Sequence, residues 1–248
     1  MPMDIFEIPS GRRIAYRLTR ANGTADTPAI VFLPGYMSDM AGSKATALFD
    51  WAASHDRTCL LLDYSGCGES DGDFADGTLS RWRDEVLALI EAKIDGPVVL
   101  IGSSMGGWLM LLVALRLEEK LAGMIGIASA PDFSDWGYDD AQKAQLERGE
   151  TVLEANPYGP EPTPTHAKFW ADAQQHRLLD APIPLSCPVT LLHGQADADV
   201  PWDISLRLAE RLASEDVQVL LSKSGDHRLS RPADIARLLA AVEGMLCV

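Results

Sequence analysis

Short apolar runs alternate with longer amphipathic segments along most of the chain. The runs have strand length and are rich in Val, Ile and Leu, which is typical of strands buried on both faces. They lie at residues 29–33, 58–62, 98–101, 124–128, 189–192 and 217–221, and residues 13–18 alternate like an antiparallel edge strand. Helical spacing of apolar residues is present at 42–53, 79–94, 106–119, 202–213 and 232–246. This alternation predicts an α/β protein with a mostly parallel central sheet flanked by helices.

One long segment, residues 131–184, interrupts the alternation. It has no convincing strand pattern and mixes aromatic residues with prolines and charges. We expect a helical lid inserted into a single domain that spans residues 1–248, with short helices at 140–149 and 163–178. Aromatic residues in such an insertion more often form its own small core than contact substrate. We expect at least one of the candidates Trp136, Phe169 and Trp170 to face a substrate pocket.

Composition and charge exclude several classes of function. The 248 residues carry a formal net charge of −15, and nucleic-acid binding needs clustered Lys and Arg, so no nucleic-acid partner is expected. No run reaches the ~18 apolar residues of a membrane span. Residues 1–7 contain neither a basic leader nor an apolar signal core, which predicts a cytoplasmic protein. The sequence contains no signal for an oligomeric state.

The cysteines predict no metal site and no disulfide framework, because none of them has C-x-x-C spacing. They are Cys59, Cys67, Cys187 and Cys247. We interpret all of them as reduced structural thiols. Cys67 lies between two glycines, but no strand, turn and helix pattern aims its thiol at a substrate, so it is not expected to be a nucleophile.

The motif G-S-S-M-G at residues 102–106 matches G-x-S-x-G. An apolar strand-like run precedes it and an apolar helix-like run follows it, which places Ser104 on the turn between them. A turn this tight forces the serine into a strained backbone conformation and leaves no room for side chains at the flanking glycines. The context predicts that Ser104 is a nucleophile rather than part of an ordinary connection.

An activated serine needs a base and a carboxylate that orients the base. His227 follows the last predicted strand, at the sheet edge where open α/β proteins gather their sites. His193 also ends a strand, but a structural role is expected for it. The remaining histidines, His55, His166 and His176, fall in a helix end or in the predicted lid. The acid candidates are Asp197 and Asp199, after the penultimate strand, and Asp226, beside His227.

Cleavage of an acyl group also needs donors for the oxyanion of the tetrahedral intermediate. One expected donor is the backbone amide of Met105, directly after the nucleophile and at the positive end of the following helix. The other is the amide of Tyr36, in the loop after the strand at 29–33. The side chain of Met37 is a further candidate for the acyl pocket.

Several of these segments together resemble the α/β-hydrolase superfamily. They are P-G-Y-M-S at 34–38, D-Y-S-G-C-G-E-S-D-G at 63–72, the serine motif extended to 110, L-H-G at 192–194 through P-W at 201–202, and D-H-R at 226–228. The chain is most similar to the branch that contains palmitoyl-protein thioesterases and mycophenolic acid acyl-glucuronide esterases. In that superfamily the triad follows the order Ser, Asp, His, and the acid occupies the Asp position of H-G-x-x-D-x-x-V-P.

The resemblance therefore implies Ser104, Asp197 and His227 as the triad and a small acyl ester or thioester as substrate. Acyl transfer through a serine needs neither a metal nor an organic cofactor. A serine peptidase and a carbon–carbon bond hydrolase use the same residues and stay open as alternatives. An inactive module that binds a ligand under the lid is the alternative from outside enzymology.

Overall fold

A computed structural model of the chain describes residues 3–9, 11–22, 27–157 and 159–246, so that Cys247 lies outside the described residues. The strands are β1 (Asp4–Glu7), β2 (Arg13–Thr19), β3 (Ala29–Leu33), β4 (Cys59–Leu62), β5 (Val98–Ser103), β6 (Leu121–Ile127), β7 (Val152–Glu154), β8 (Thr163–Thr165), β9 (Val189–Gly194) and β10 (Val217–Ser222). The helices are α1 (Ser43–Ser54), α2 (Leu79–Lys93), α3 (Met105–Leu117), α4 (Phe133–Trp136), α5 (Asp140–Glu147), α6 (Ala167–Gln174), α7 (Asp203–Arg211) and α8 (Pro232–Leu246).

Eight of these strands form one sheet in the order β1-β2-β4-β3-β5-β6-β9-β10. β2 is antiparallel to both of its neighbours, β1 and β4, and every other pair is parallel. The carboxyl ends of the parallel strands consequently meet at one edge of the sheet. Loops that follow β3, β5, β9 and β10 lie at this edge, which is where a site can be assembled from distant parts of the chain.

Helices cover both faces of the sheet, and alternate side chains of each central strand point to opposite layers. In β3, Val31 and Leu33 pack in the core that includes α2, α3 and α7, while Ile30 and Phe32 pack in the core that includes α1 and α8. All five residues of β3 are buried. This two-sided burial explains why the strand is a continuous apolar run, and it confirms the predicted α/β architecture.

The first strands differ from the sequence prediction. Residues 13–18 were expected to form an edge strand, but β1 pairs with β2 and takes the edge position instead. The expectation is wrong because β1 has only four residues, and the sequence D-I-F-E leaves most of them outside the core. Such a short and acidic strand has no detectable pattern of its own and is fixed by its hydrogen bonds to β2.

Between β6 and β9 the described residues form three short helices and a pair of antiparallel strands. The predicted helix at 140–149 corresponds to α5, whereas the predicted helix at 163–178 divides into β8 and α6. The segment is therefore not purely helical. The β8 sequence T-P-T explains the difference, because β-branched threonines favour strands and a proline lacks the N–H that a helix interior needs. None of the helices in the described ranges is long and apolar enough to cross a membrane.

Candidate active site

Ser104 occupies a sharp turn between the end of β5 and the start of α3. Its backbone has φ 56° and ψ −122°, a conformation that costs a serine about 1–3 kcal/mol. Three hydrogen bonds hold this conformation. The Ser104 amide donates to the carbonyl of Ile127 at 2.8 Å, and the Ser104 carbonyl accepts from the amides of Gly107 at 2.8 Å and Ala130 at 3.1 Å. The fold therefore fixes the serine in a strained position at the carboxyl edge of the sheet.

Two glycines of the motif are required by close backbone contacts around this turn. A Cβ atom on Gly102 would lie 2.3 Å from the carbonyl oxygen of Gly106, and one on Gly106 would lie 2.2 Å from the carbonyl oxygen of Leu33. Atoms at such distances overlap, and in both cases the obstacle is backbone. The missing side chains let α3 start directly against β5 and β3.

The serine, an imidazole and a carboxylate lie in one hydrogen-bonded row. His227, in the loop between β10 and α8, has Nε2 at 3.0 Å from Ser104 Oγ. Its Nδ1 lies 2.8 Å from Oδ2 of Asp197, in the loop after β9. This arrangement lets the imidazole take a proton from the hydroxyl while the carboxylate orients the ring and stabilises its positive charge.

The Asp197 carboxylate is anchored by more groups than His227 alone. Its Oδ1 accepts from the backbone amides of Asp199 at 2.9 Å and Val200 at 2.8 Å. His193 Nε2 lies 3.2 Å from Oδ2, and the His193 side chain is completely buried. Burial opposes ionisation, but the hydrogen bonds from His193 and His227 outweigh it and hold the pKa of Asp197 well below its usual range. Asp197 therefore stays charged beside the imidazole.

The other acid candidates make different contacts. Asp226 accepts a hydrogen bond from the backbone amide of Leu229 at 3.0 Å, which stabilises the turn after His227. Asp199 is exposed, and it is the backbone of Asp199 that contacts the Asp197 carboxylate. Of the three predicted acids, the structure brings Asp197 to the imidazole.

The remaining histidines lie away from the serine. His193 hydrogen-bonds Ser205 as well as Asp197, His55 stacks on Trp51, His166 contacts Thr151, and His176 contacts Ser80. The contact between His193 and Asp197 is a feature that sequence reasoning missed. Its signal was the four-residue spacing of the H-G-Q-A-D segment, in which the first and last residues meet across a turn.

Two backbone amides beside Ser104 are available as oxyanion donors. A Cβ atom on Gly35 would lie 3.4 Å from the Cβ of Ser104, so the loop after β3 passes directly next to the serine. Within the described ranges, no acceptor is present for the amide of Tyr36 or of Met105. Met105 is the first residue of α3, where the helix dipole favours negative charge.

The Tyr36 side chain lies at the centre of an aromatic cluster that joins the loop after β3 to the insertion. Its ring centroid is 4.9 Å from Phe74, 6.0 Å from Phe133 and 5.0 Å from the predicted pocket residue Phe169. Phe74 and Phe133 were missed because nothing in the local sequence marks two phenylalanines so far apart as neighbours. The insertion thus packs over the carboxyl edge that carries Ser104.

The other predicted pocket residues are placed differently. Met37 is 49% exposed, next to Tyr36. The indoles of Trp136 and Trp170 donate hydrogen bonds to the carbonyls of Pro131 and Ser134, each at 2.8 Å. Both tryptophans are therefore fixed within the insertion.

A metal ion and a cysteine nucleophile are two alternatives at this edge. In the part of the chain that the structure describes, ligand atoms of Asp197, Asp199 and His227 lie within 4.8 Å of one another. A cation there would have to replace the hydrogen bond between His227 and Asp197. Burial raises the pKa of the Cys67 thiol to about 12, so that this thiol stays protonated and unreactive at neutral pH.

The mostly parallel eight-stranded sheet, with a serine on the turn from β5 to α3, defines an α/β hydrolase. Residues 30–238 match the Alpha/beta hydrolase family, and the chain belongs to that family. It is 42% identical over 226 residues to the mouse (Mus musculus) palmitoyl-protein thioesterase ABHD10, mitochondrial. The match covers 89% of this chain and 75% of the relative.

Solved structures agree. The structure of alpha/beta hydrolase domain-containing protein 10 from mouse has a TM-score of 0.90 and 36% identity, over 99% of this chain and 98% of that one. A crystal structure of a protein from Agrobacterium vitis has a TM-score of 0.92 and 36% identity, over 99% of this chain and 100% of that one. The comparisons confirm the predicted family, the fold class and the enzyme class, a hydrolase of the esterase or thioesterase type.

The predicted cellular location is wrong. A cytoplasmic location was expected from residues 1–7, but the mouse relative and its human (Homo sapiens) counterpart are both named as mitochondrial proteins. The physical reason is that cellular location is decided by receptors that recognise targeting segments, whereas the fold and the site do not depend on it.

Proposed function

We propose that the chain is a serine thioesterase or esterase in which Ser104 is the nucleophile, His227 the general base and Asp197 the acid that orients it. The observation that carries this proposal is the pair of hydrogen bonds from His227, at 3.0 Å to Ser104 Oγ and at 2.8 Å to Asp197 Oδ2. The strained backbone of Ser104 supports it, because such strain is kept where a fold needs a side chain in one position.

In the first half-reaction His227 Nε2 takes the hydroxyl proton as Ser104 Oγ attacks the acyl carbonyl. The carbonyl oxygen becomes an oxyanion, which accepts hydrogen bonds from the amides of Tyr36 and Met105. When the tetrahedral intermediate collapses, the bond to the leaving thiolate or alkoxide breaks, and the leaving group takes the proton from the imidazolium. An acyl group remains on Ser104.

In the second half-reaction a water molecule replaces the leaving group. His227 takes a proton from the water as it attacks the acyl carbonyl, and the same two amides stabilise the second oxyanion. Collapse releases the carboxylic acid and returns the proton to Ser104. Asp197 stays ionised through both steps, because the hydrogen bonds from His193 and His227 lower its pKa.

The names of the relatives favour a thioester of an aliphatic acyl group as the substrate class, since the mouse and human proteins are named palmitoyl-protein thioesterases.

We propose that residues 131–184 act as a lid on one domain that spans 1–248. The support is the packing of Phe133 and Phe169 around Tyr36, which puts an apolar wall beside the proposed oxyanion site. Met37, which is 49% exposed beside Tyr36, is the further proposed pocket contact, whereas Trp136 and Trp170 are held within the insertion by their indole hydrogen bonds.

The experiment is a substrate matrix measured with one preparation of purified protein. Acyl-CoA and S-acyl peptide thioesters, p-nitrophenyl esters and unmodified peptides are offered at graded acyl length, and kcat/KM is compared. We expect turnover of thioesters and esters and none of the peptides. Preferential peptide cleavage would favour a serine peptidase. Absence of any turnover, with no labelling by a fluorophosphonate, would favour an inactive binding module.

A further inference from the structure

A cavity of about 290 Å³ lies on the face of the sheet that α1 and α8 cover, below the loop that carries His227. Its walls are mainly aliphatic and include Ile127, Leu192, Leu220, Leu229 and Leu238. Neither Ser104 nor the aromatic cluster around Tyr36 lines it. His193, which hydrogen-bonds Asp197, does line it, so the cavity adjoins the proposed catalytic residues without including Ser104 or His227. Its volume is near the lower end of about 300–1,000 Å³ that is usual for ligand pockets.

Lys44, in the first turn of α1, provides a cation at this apolar cavity. Its Nζ donates a hydrogen bond to the carbonyl of Arg228 at 2.5 Å. Across the described residues, Lys44 has no carboxylate within ion-pair distance. Burial lowers the pKa of Lys44 to about 8, and Arg228 adds to this effect while Asp226 opposes it. The ammonium therefore lacks a close counter-ion.

The carboxylate that lines the same cavity is already neutralised. The Asp234 side chain is 1% exposed and accepts hydrogen bonds from Arg231 at 2.6 and 3.0 Å and from Arg237 at 3.1 Å. Two guanidinium groups on one carboxylate leave the balance of charge positive here, although the whole chain has a net charge of −15. The first turn of α1, which contains no acidic residue, adds the positive end of a helix dipole.

We propose that this cavity binds a linear aliphatic monocarboxylate, with the carboxylate on Lys44 and the chain along the leucines. Lys44 Nζ has three N–H donors, and one of them is used by the Arg228 carbonyl. The remaining donors can bind a carboxylate without displacing that bond. The aliphatic walls exclude a highly charged ligand, and the cavity volume favours a short to medium chain. The site does not depend on the catalytic roles proposed for Ser104 and His227.

Calorimetric titration with octanoate tests this site. We expect saturable binding to the wild type, weakened about tenfold or more by Lys44→Met, because a charge-assisted hydrogen bond is worth about 1.5–3 kcal/mol. Leu220→Glu should weaken binding similarly, since Leu220 lines the cavity and is 47% exposed, so that the change is tolerated by the fold. Octanol, which has the same chain without the charge, should bind more weakly than octanoate.

Two matched controls exist in the chain. Lys120 also donates to a backbone carbonyl, that of Ile94 at 2.7 Å, but does not line the cavity. Leu206 on α7 is 39% exposed and likewise outside it. Lys120→Met and Leu206→Glu should bind octanoate like the wild type, and circular dichroism shows that each variant is folded.

Three outcomes would overturn the proposal. The first is that the wild type does not bind octanoate. The second is that Lys44→Met and Leu220→Glu bind octanoate as tightly as the wild type does. The third is that octanol binds as tightly as octanoate. A fourth concerns the exposed edge strand β10. If sedimentation shows a dimer that Leu220→Glu dissociates and octanoate does not affect, a second copy of the chain covers this face and the ligand site is wrong.

Discussion

The hydroxyl of Tyr36 donates a hydrogen bond to the backbone carbonyl of Pro164, at a distance of 3.0 Å. Tyr36 belongs to the loop after β3 that passes beside Ser104, and Pro164 belongs to β8 of the insertion. A single side chain therefore joins the proposed oxyanion site to the proposed lid. The position of the Tyr36 amide depends on the packing of a segment that lies more than a hundred residues later in the chain.

Tyr36→Phe keeps the aromatic packing and removes the hydrogen bonds of this hydroxyl to Pro164 and Thr165, both in β8. Because a net hydrogen bond is worth about 0.5–1.5 kcal/mol, we expect kcat to fall about 2- to 10-fold while the protein stays folded. Tyr138→Phe is the matched control, since the Tyr138 hydroxyl bonds Thr165 within the insertion at 2.7 Å. Equal kcat values for the two variants in a steady-state assay would show that the bond to Pro164 does not position the oxyanion site.

Asp197→Asn should lower kcat by about 10⁴-fold, the effect of removing the orienting carboxylate from a serine–histidine pair. Asp199→Asn should be far less damaging, because it is the Asp197 carboxylate that lies 2.8 Å from Nδ1 of His227. Steady-state assays of both variants with one p-nitrophenyl ester check this. The acid assignment is wrong if Asp199→Asn is the more damaging change.

The lowered pKa of Asp197 also predicts how stability depends on pH. Burial opposes the charge, but the hydrogen bonds from His193 and His227 keep the folded-state pKa below the unfolded value of about 3.9. The carboxylate therefore stabilises the fold above that pH, and the contribution is lost as the pH falls through the folded-state value. Urea unfolding should show wild type more stable than Asp197→Asn at pH 6, with the difference shrinking below about pH 4. A difference that grows on acidification would contradict this.

Lys44 gives a pH dependence of the same sign in an alkaline window, although here burial disfavours the charged form. Burial lowers its pKa to about 8 in the folded protein, so that between about pH 8 and the usual lysine value of about 10.4 the unfolded chain binds more protons. Stability should therefore rise with pH across this window, by up to about 1.4 kcal/mol per pH unit for one group. Between pH 8 and pH 10, the free energy of unfolding in urea should therefore rise more for the wild type than for Lys44→Met. Parallel curves for the two proteins would show that Lys44 is not perturbed by burial.

Much of the fold follows from local patterns. β3 and α8 have the bounds that the sequence predicts, because a continuous apolar run and a proline in a helical first turn are strong signals. β1 gave no such signal, since its few residues are mostly exposed and depend on pairing with β2. Within residues 163–178 the helical spacing was outweighed by the hydrogen bonds between β7 and β8.

The site was predictable where one segment carries its own geometry. The G-x-S-x-G motif predicts the position of Ser104, because its two glycines are what allows α3 to start directly against β5 and β3. The choice among Asp197, Asp199 and Asp226 depends on the shape of two loops, and local sequence does not determine which carboxylate faces His227. The aromatic cluster around Tyr36 was not predictable, because its members come from four separate segments that only the folded chain brings together.

The most direct test of the central claim is to trap the acyl group on the enzyme. The protein is mixed with a slowly hydrolysed p-nitrophenyl ester or a fluorophosphonate, and the modified residue is located by peptide mass spectrometry. We predict one adduct, on Ser104, that Ser104→Ala abolishes together with turnover, by about 10⁴- to 10⁶-fold, and that Ser103→Ala retains. An adduct on any other residue, or comparable turnover by Ser104→Ala and the wild type, would contradict the serine mechanism.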